Sequence, residues 1–245
     1  NEDMLVSATQ KYMTSNGMVL SNIGDTITIN YSDLTNDKLI DKITDQVSKN
    51  ECSNSKIYVT KITTGYTYKP GLVCDNYISL DTFNLVTNGD FSNGATGWNS
   101  ASSTISVSSN TLLVTGNGVN PYAGANNGIG SHLANRKYYT KMKVRVTNSI
   151  ATRITAFFNS NIIDRVVSST SNPIANQWYK ISSIITPAAD ISNLQIYQYY
   201  ADAATTSGKI MEIQDVVVLD LTEIYGVGNE PTNPLNIENI IEKSK

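Results

Sequence analysis

Tyr139-Thr140-Lys141-Met142-Lys143-Val144-Arg145-Val146 decides the fold class of the larger part of this chain. Met142, Val144 and Val146 share one parity, and Lys141, Lys143 and Arg145 share the other. Successive side chains of a strand point to opposite faces. The octapeptide therefore predicts an antiparallel strand with one face on a core and the other in water. Outward from it, β-prone runs recur at Thr104–Val107, Thr111–Val114, Thr152–Phe158, Trp178–Ile185, Leu194–Tyr200 and Ile210–Leu219. Turn-rich segments separate them, among them 116–118 and 120–130, which read as loops. Several short strands at this spacing predict a β-sandwich.

Upstream of about Leu80 the pattern is different. Met4, Leu5, Ala8, Tyr12 and Met13 fall near helical spacing, and Ser15-Asn16-Gly17 is a stop signal with Gly17 free to take a left-handed cap. Ile27–Ile29 is short and β-like. Leu34, Leu39, Ile40 and Ile43 mark one side of a short helix over 32–43. Lys56–Ile62 alternates as a strand, Gly65 turns the chain, and Tyr66–Tyr68 returns as its partner. This region reads as a small α+β domain.

Composition bounds the function. Charged residues make up only 16% of the 245-residue chain, against 40% hydrophobic, so Asn, Ser and Thr carry the polarity. Such a surface is common in exported β proteins. The net charge of −3 leaves no basic face for phosphates, which excludes nucleic acid as an expected partner. No apolar run of about 18 residues offers a membrane span. No signal peptide is recognisable, and the chain opens at Asn1 inside a helical pattern. The expectation is that an upstream segment has been removed. Cys52 and Cys74 are an even pair in a chain of exported composition, which suggests a disulfide. Two buried free thiols are the alternative. Zinc ligation lacks its spacing.

Three motifs carry a family resemblance. "NLVTNGDFSNGATGW" at 84–98 resembles the opening of a family 4/9 type carbohydrate-binding module. "NQWYKIS" at 176–182 and "IMEIQDVVVLDL" at 210–221 resemble its later and final strands. The resemblance covers about 84–221 and implies a galactose-binding-like jelly roll. It also implies that Phe91, Trp98 and Trp178 are core residues. In that family a structural calcium often joins the first and last strands. Asp215 matches one ligand, and Ser92 stands where the family has Glu, leaving Asp90 to compensate. The segment 221–234, "LTEIYGVGNEPTNP", is similar to segments following such sandwiches in tail proteins of phages of Gram-positive bacteria.

A second resemblance covers 1 to about 78. The helical face, "LIDKITDQ" at 39–46, the hairpin "KIYVTKITTGYTYKP" at 56–70 and the flanking cysteines resemble a Gram-positive type IV pilin or pseudopilin headpiece. Gln46 departs from the family, which often has Pro there. The implied organisation is a pilin-like α+β domain over 1–80, a carbohydrate-binding-like sandwich over 84–221 and a C-terminal tail over 222–245. Other pilin subunits are then implied partners.

Residues off the core motifs are the candidates for binding. Tyr122 sits in a Gly/Asn-rich segment that cannot easily bury itself. Tyr197 and Tyr199 share one face of their strand, with Gln198 and Tyr200 on the other; one pair packs inside and the other presents a ring and an amide to a ligand. Arg153 and Gln195 donate from neighbouring strands. Aromatic stacking with a few planar polar groups is the physical minimum of a glycan site. The slight acidity of the sandwich half points to neutral rather than anionic polysaccharide. An ordinary polar sheet face with scattered tyrosines is the alternative.

Catalysis finds no pattern. His132 is the only histidine, and it reads as a surface loop residue without triad partners. Asp164, Asp190, Asp202, Glu212 and Asp215 are not paired as a glycosidase requires. No cofactor is required, with structural calcium the single option raised. The expected protein is non-catalytic, extracellular or on the cell surface, and binds a glycan in an adhesion or scaffold role. The alternative is an assembly protein of a pilus or phage-tail-like particle, whose sandwich makes protein–protein contacts.

Overall fold

The computed structural model describes residues 1–148, 150–159 and 166–244, with only the backbone of Val166 described. In chain order the elements are α1 (Glu2–Ser15), β1 (Thr26–Asn30), α2 (Tyr31–Asn36), β2 (Lys56–Ile62), β3 (Gly65–Gly71), β4 (Val73–Cys74), β5 (Tyr77–Ile78) and α3 (Leu80–Phe83). Then come β6 (Trp98–Ala101), β7 (Ser103–Ser108), β8 (Thr111–Gly116), β9 (Tyr122–His132), β10 (Tyr138–Val146), β11 (Arg153–Phe158) and β12 (Val166–Ser171). The chain finishes with β13 (Tyr179–Ile185), β14 (Ile191–Tyr199), β15 (Ile210–Asp220), α4 (Leu221–Tyr225) and α5 (Pro234–Lys243). Two compact units form: 1–83 with 236–245, and 84–235. Residues 222–245, expected as one tail, thus divide between the two.

The first unit is α+β. α1 packs against β2 and β3 of a three-stranded antiparallel sheet ordered β1-β2-β3. Leu5, Ala8, Thr9 and Met13 form its buried face, while Met4 is 46% exposed. Gly17, at φ 61°, closes the helix as a Schellman cap, with Met18 N–H donating to Met13 O and Gly17 N–H to Thr14 O. The helix expected over 32–43 stops at Asn36. There Lys38 takes the left-handed conformation at φ 55°, and Leu39 N–H returns to Leu34 O in the same cap pattern. Leu34 and Ile43 are buried all the same, because the loop folds back and Ile43 N–H donates to the Tyr31 hydroxyl at 2.8 Å. The disulfide expected between Cys52 and Cys74 is formed.

The second unit is a jelly-roll β-sandwich of two five-stranded antiparallel sheets, ordered β13-β10-β15-β8-β7 and β12-β11-β14-β9-β6. The chain passes from one sheet to the other at most connections. Met142, Val144 and Val146 are fully buried between the sheets, as the alternation in β10 predicts. They meet Trp98, Ala125, Ile154, Ala156, Phe158 and Ile196 in one core cluster with the rest of both inner faces. Each large aliphatic side chain taken out of water there stabilises the fold by about 1.5–3 kcal/mol. The outer face of β10 is less uniform than expected. Lys143 and Arg145 reach Asp215 at 2.9 Å and Glu212 at 2.6 Å, but Tyr139 and Lys141 are buried.

In this second unit three strands escaped the sequence reading: β6, β12 and, most importantly, β9. The segment 120–130 was expected as a loop, yet β9 runs through it between β14 and β6. His132 correspondingly ends a strand instead of sitting in a loop, with Nε2 2.7 Å from Ile129 O. Within β9, Asn127 is fully buried and fastens the first motif: its Nδ2 donates to Thr87 O and Gly97 O, and its Oδ1 accepts from Thr87 N–H. Phe91 and Trp98 pack as core residues with ring centroids 5.3 Å apart. Trp178 does not. It precedes β13, is part exposed, and lies under the Arg145 guanidinium at 4.7 Å. Its neighbour Tyr179 has the inward parity and packs against the core instead.

Candidate functional site

The site begins with the alternation of β14. Leu194, Ile196, Gln198 and Tyr200 point into the sandwich and are buried, while Gln195, Tyr197 and Tyr199 point outward and are part exposed. The inner polar pair is self-satisfied: the Tyr200 hydroxyl donates to Gln198 Oε1 at 2.7 Å, and Gln198 Nε2 donates to Lys209 O at 3.2 Å. Register then sets the outer neighbours. Tyr199 lies opposite Tyr122 on one side and Arg153 on the other; Tyr197 lies between Gly124 and Thr155; Gln195 lies between Asn126 and Phe157. All five residues singled out from the sequence, Tyr122, Arg153, Gln195, Tyr197 and Tyr199, therefore occupy one face of one sheet. The three cross-strand rows cover about 14 Å along the strands and about 10 Å across them, from strand geometry.

The aromatic side chains form one cluster. Tyr122 and Tyr197 are stacked, with centroids 5.3 Å apart and planes 8° from parallel. Tyr199 completes a triangle at 6.1 Å from Tyr122 and 6.2 Å from Tyr197. Phe157 supports Tyr197 edge-on at 5.3 Å and is itself buried. The stack exists because residue 124 is glycine. A Cβ there would stand 2.0 Å from Cδ1 of Tyr197 and 2.7 Å from the Ile196 carbonyl oxygen. The Tyr197 ring lies across the space that any other residue would fill.

Polar groups frame this platform. The Arg153 guanidinium lies 4.3 Å above the Tyr199 ring. Its Nε, and Oδ1 of Asn126, are buried atoms without a hydrogen-bond partner. Burial pushes the Tyr197 phenol up in pKa, partly offset by a hydrogen bond from Asn126. Burial likewise pushes Tyr199 up, offset in part by the Arg153 charge. Both phenols are therefore neutral donors around pH 7. Among the described residues, no Asp or Glu occupies an outward position on these five strands.

Asn126, Thr155 and Phe157 were missed as members of this face. The signal was present in β9, where Tyr122, Gly124 and Asn126 alternate with Ala123, Ala125 and Asn127. Small side chains on both faces disguised it.

Each of the two carboxylates offered for calcium has partners within the protein. Asp215 occupies a bulge in β15 opposite the Lys141–Lys143 register shift, at φ 52°, and its Oδ2 takes Lys143 at 2.9 Å. Asp90 Oδ1 accepts from Ser92 N–H and Oγ–H at 3.2 and 2.9 Å. Val216 N–H donates to Gly89 O, so the two segments do adjoin as the resemblance implies. Calcium needs six to eight oxygens. Among the described residues no group of three or more His, Cys, Asp or Glu side chains is placed to hold a metal. Asp164 lies outside the described residues.

No family model matches this chain, and no curated protein is similar to it in sequence. Among solved structures, the chain is similar to a family 4 carbohydrate-binding module at 14% identity and TM-score 0.41, over 52% of this chain and 97% of that one. It is similar to a family 16 carbohydrate-binding module at 16% identity and TM-score 0.37, over 56% of this chain and 99% of that one. It is also similar to an arabinose-bound α-L-arabinofuranosidase at 17% identity and TM-score 0.45, over 65% of this chain, which spans 30% of that enzyme's length.

Proposed function

We propose that the sandwich binds carbohydrate non-covalently on the outer face of the β12-β11-β14-β9-β6 sheet, and that the chain does no covalent chemistry. The observation that carries this reading is the joining of Tyr122, Tyr197, Tyr199, Arg153, Gln195 and Asn126 on one part-exposed face. Tyrosine rings offer flat apolar surface to the C–H face of a pyranose, and the amides and guanidinium reach its hydroxyls. The unpartnered Asn126 Oδ1 and Arg153 Nε support it, because buried polar atoms normally have partners. A shallow face with few anchors gives dissociation constants in the micromolar to millimolar range, about −8 to −4 kcal/mol.

In this reading the protein is extracellular or at the cell surface, which the Cys52–Cys74 disulfide supports. No described helix is long and apolar enough to cross a membrane. The α+β unit, with α1 laid on an antiparallel sheet beside that disulfide, favours a pilin-like headpiece with other pilin subunits as partners. The sandwich then serves adhesion or scaffolding. The other reading is assembly of a pilus or phage-tail-like particle through protein contacts of the same face. A broad glycan array with wild-type protein and Tyr197→Ala tests the choice. The proposal expects hits that weaken in the variant. No hits, with a specific protein partner recovered by pull-down and lost in the variant, favours assembly.

A further inference from the structure

The charges of the described arginines set Arg153 apart. Arg136 holds Asp220 at 2.7 Å and Glu223 at 3.0 Å, and Arg145 holds Glu212 at 2.6 Å. Among the described residues no carboxylate pairs with Arg153. It is part buried, and its guanidinium is stacked on Tyr199 at 4.3 Å. A guanidinium in that setting has lost solvation without gaining a counter-charge, which is unfavourable unless a partner arrives. The outward positions around it are neutral: Ser169, Ser171, Thr155, Gln195, Asn126 and the tyrosines.

We propose that this face selects an acidic saccharide, the carboxylate of a uronic acid pairing with Arg153 while a neighbouring ring rests on Tyr122 and Tyr197. The inference rests on the carbohydrate-binding reading and names its ligand class. A carboxylate matches the planar fork of arginine in a way a hydroxyl does not. Arg153, Tyr199 and Tyr122 lie in one cross-strand row, so a chain laid across β11, β14 and β9 meets guanidinium and ring surface in succession. The slight acidity of the sandwich half argues for neutral glycans. Net charge governs long-range attraction, whereas this cation and its uncharged surroundings govern the contact itself.

The test is calorimetric titration of the whole protein with a panel of uronic-acid oligosaccharides. Each is paired with its carboxyl-reduced neutral counterpart, and wild type is compared with R153Q, R153K and Y122A. The expected result is an acid form bound about tenfold or more tighter than its neutral counterpart by wild type, as a charge-assisted contact gives. R153Q abolishes that preference, weakening the acid form by more than it weakens the neutral one; R153K keeps part of it, since lysine has the charge without the fork. Y122A weakens both forms together. Equal binding of acid and neutral forms by wild type, or a preference that survives R153Q, overturns the inference and leaves the carbohydrate reading standing. Binding of neither form overturns both.

Discussion

Gly124→Ala probes the proposed site without altering any of the side chains proposed to meet a glycan. The new Cβ would stand 2.0 Å from Cδ1 and 2.5 Å from Cε1 of Tyr197, and 2.7 Å from the backbone oxygen of Ile196. The φ of Gly124 lies outside the glycine-favouring region, so the methyl alone is at fault. The ring can swing aside, but the carbonyl belongs to the central strand and cannot. Overpacking of this kind costs about 1–3 kcal/mol of stability. Displacing the ring also breaks the Tyr122 stack, a pair worth about 0.5–1.5 kcal/mol. That loss adds to the overpacking cost in stability, and the displaced platform should weaken binding as well. Gly128→Ala is the control, since its Cβ would meet nothing nearer than Asn193 Oδ1 at 3.8 Å. It should match or exceed wild-type stability by about 0.4–1 kcal/mol, through the unfolded state. Urea unfolding of both variants reads the difference. Gly124→Ala with wild-type midpoint and wild-type binding would refute the placement of Tyr197 across Gly124.

Trp98→Ala should cost about 3–5 kcal/mol as a core deletion. Trp178→Ala should cost no more than about 1 kcal/mol, since Trp178 offers a cation–π contact to Arg145 at 4.7 Å; chemical denaturation ranks them, and equal costs contradict the assignment. Thiol titration of the unfolded, unreduced protein should find no free thiol, and reducing the Cys52–Cys74 disulfide, which spans a sequence separation of 22, should destabilise the first unit by about 3 kcal/mol. Glu230 is held ionised to about 2 by its own backbone N–H, by Thr222, by Lys137 and by the Gly228 N–H. Its folded value lies below its ordinary 4.5, so its stabilisation is complete above about 4.5 and lost as pH falls toward about 2. Glu230→Gln should remove that acid-dependent part, and a pH–stability profile unchanged in this window would count against it.

The fold was legible where packing acts strongly on one strand. β10 reads out from Met142, Val144 and Val146, and β2 from Ile57 and Val59, because a buried parity demands large apolar residues. β9 was not legible because its outward Gly124 answers a ring on another strand, and its inward Ala123, Ala125 and Asn127 are small. Its extended state is imposed by β14 and β6 on either side, over a local preference of Asn and Gly for turns. Trp178 was misplaced by one residue, and one step along a strand exchanges core for surface. The candidate face was half legible: the parity of Tyr197 and Tyr199 is a property of one strand. That Arg153 and Tyr122 flank Tyr199 is a matter of register, which no single strand records.

The central claim is that ligand contacts the outward face of β9, β11 and β14. Amide and side-chain chemical-shift perturbation, recorded while an oligosaccharide binder from the array is titrated into the protein, tests it most directly. The account predicts shifts centred on Tyr122, Asn126, Arg153, Gln195, Tyr197 and Tyr199, with the inward Gln198 and Tyr200 and the opposite sheet largely still. Shifts centred on Trp178 and Arg145, or on the first unit, would contradict it.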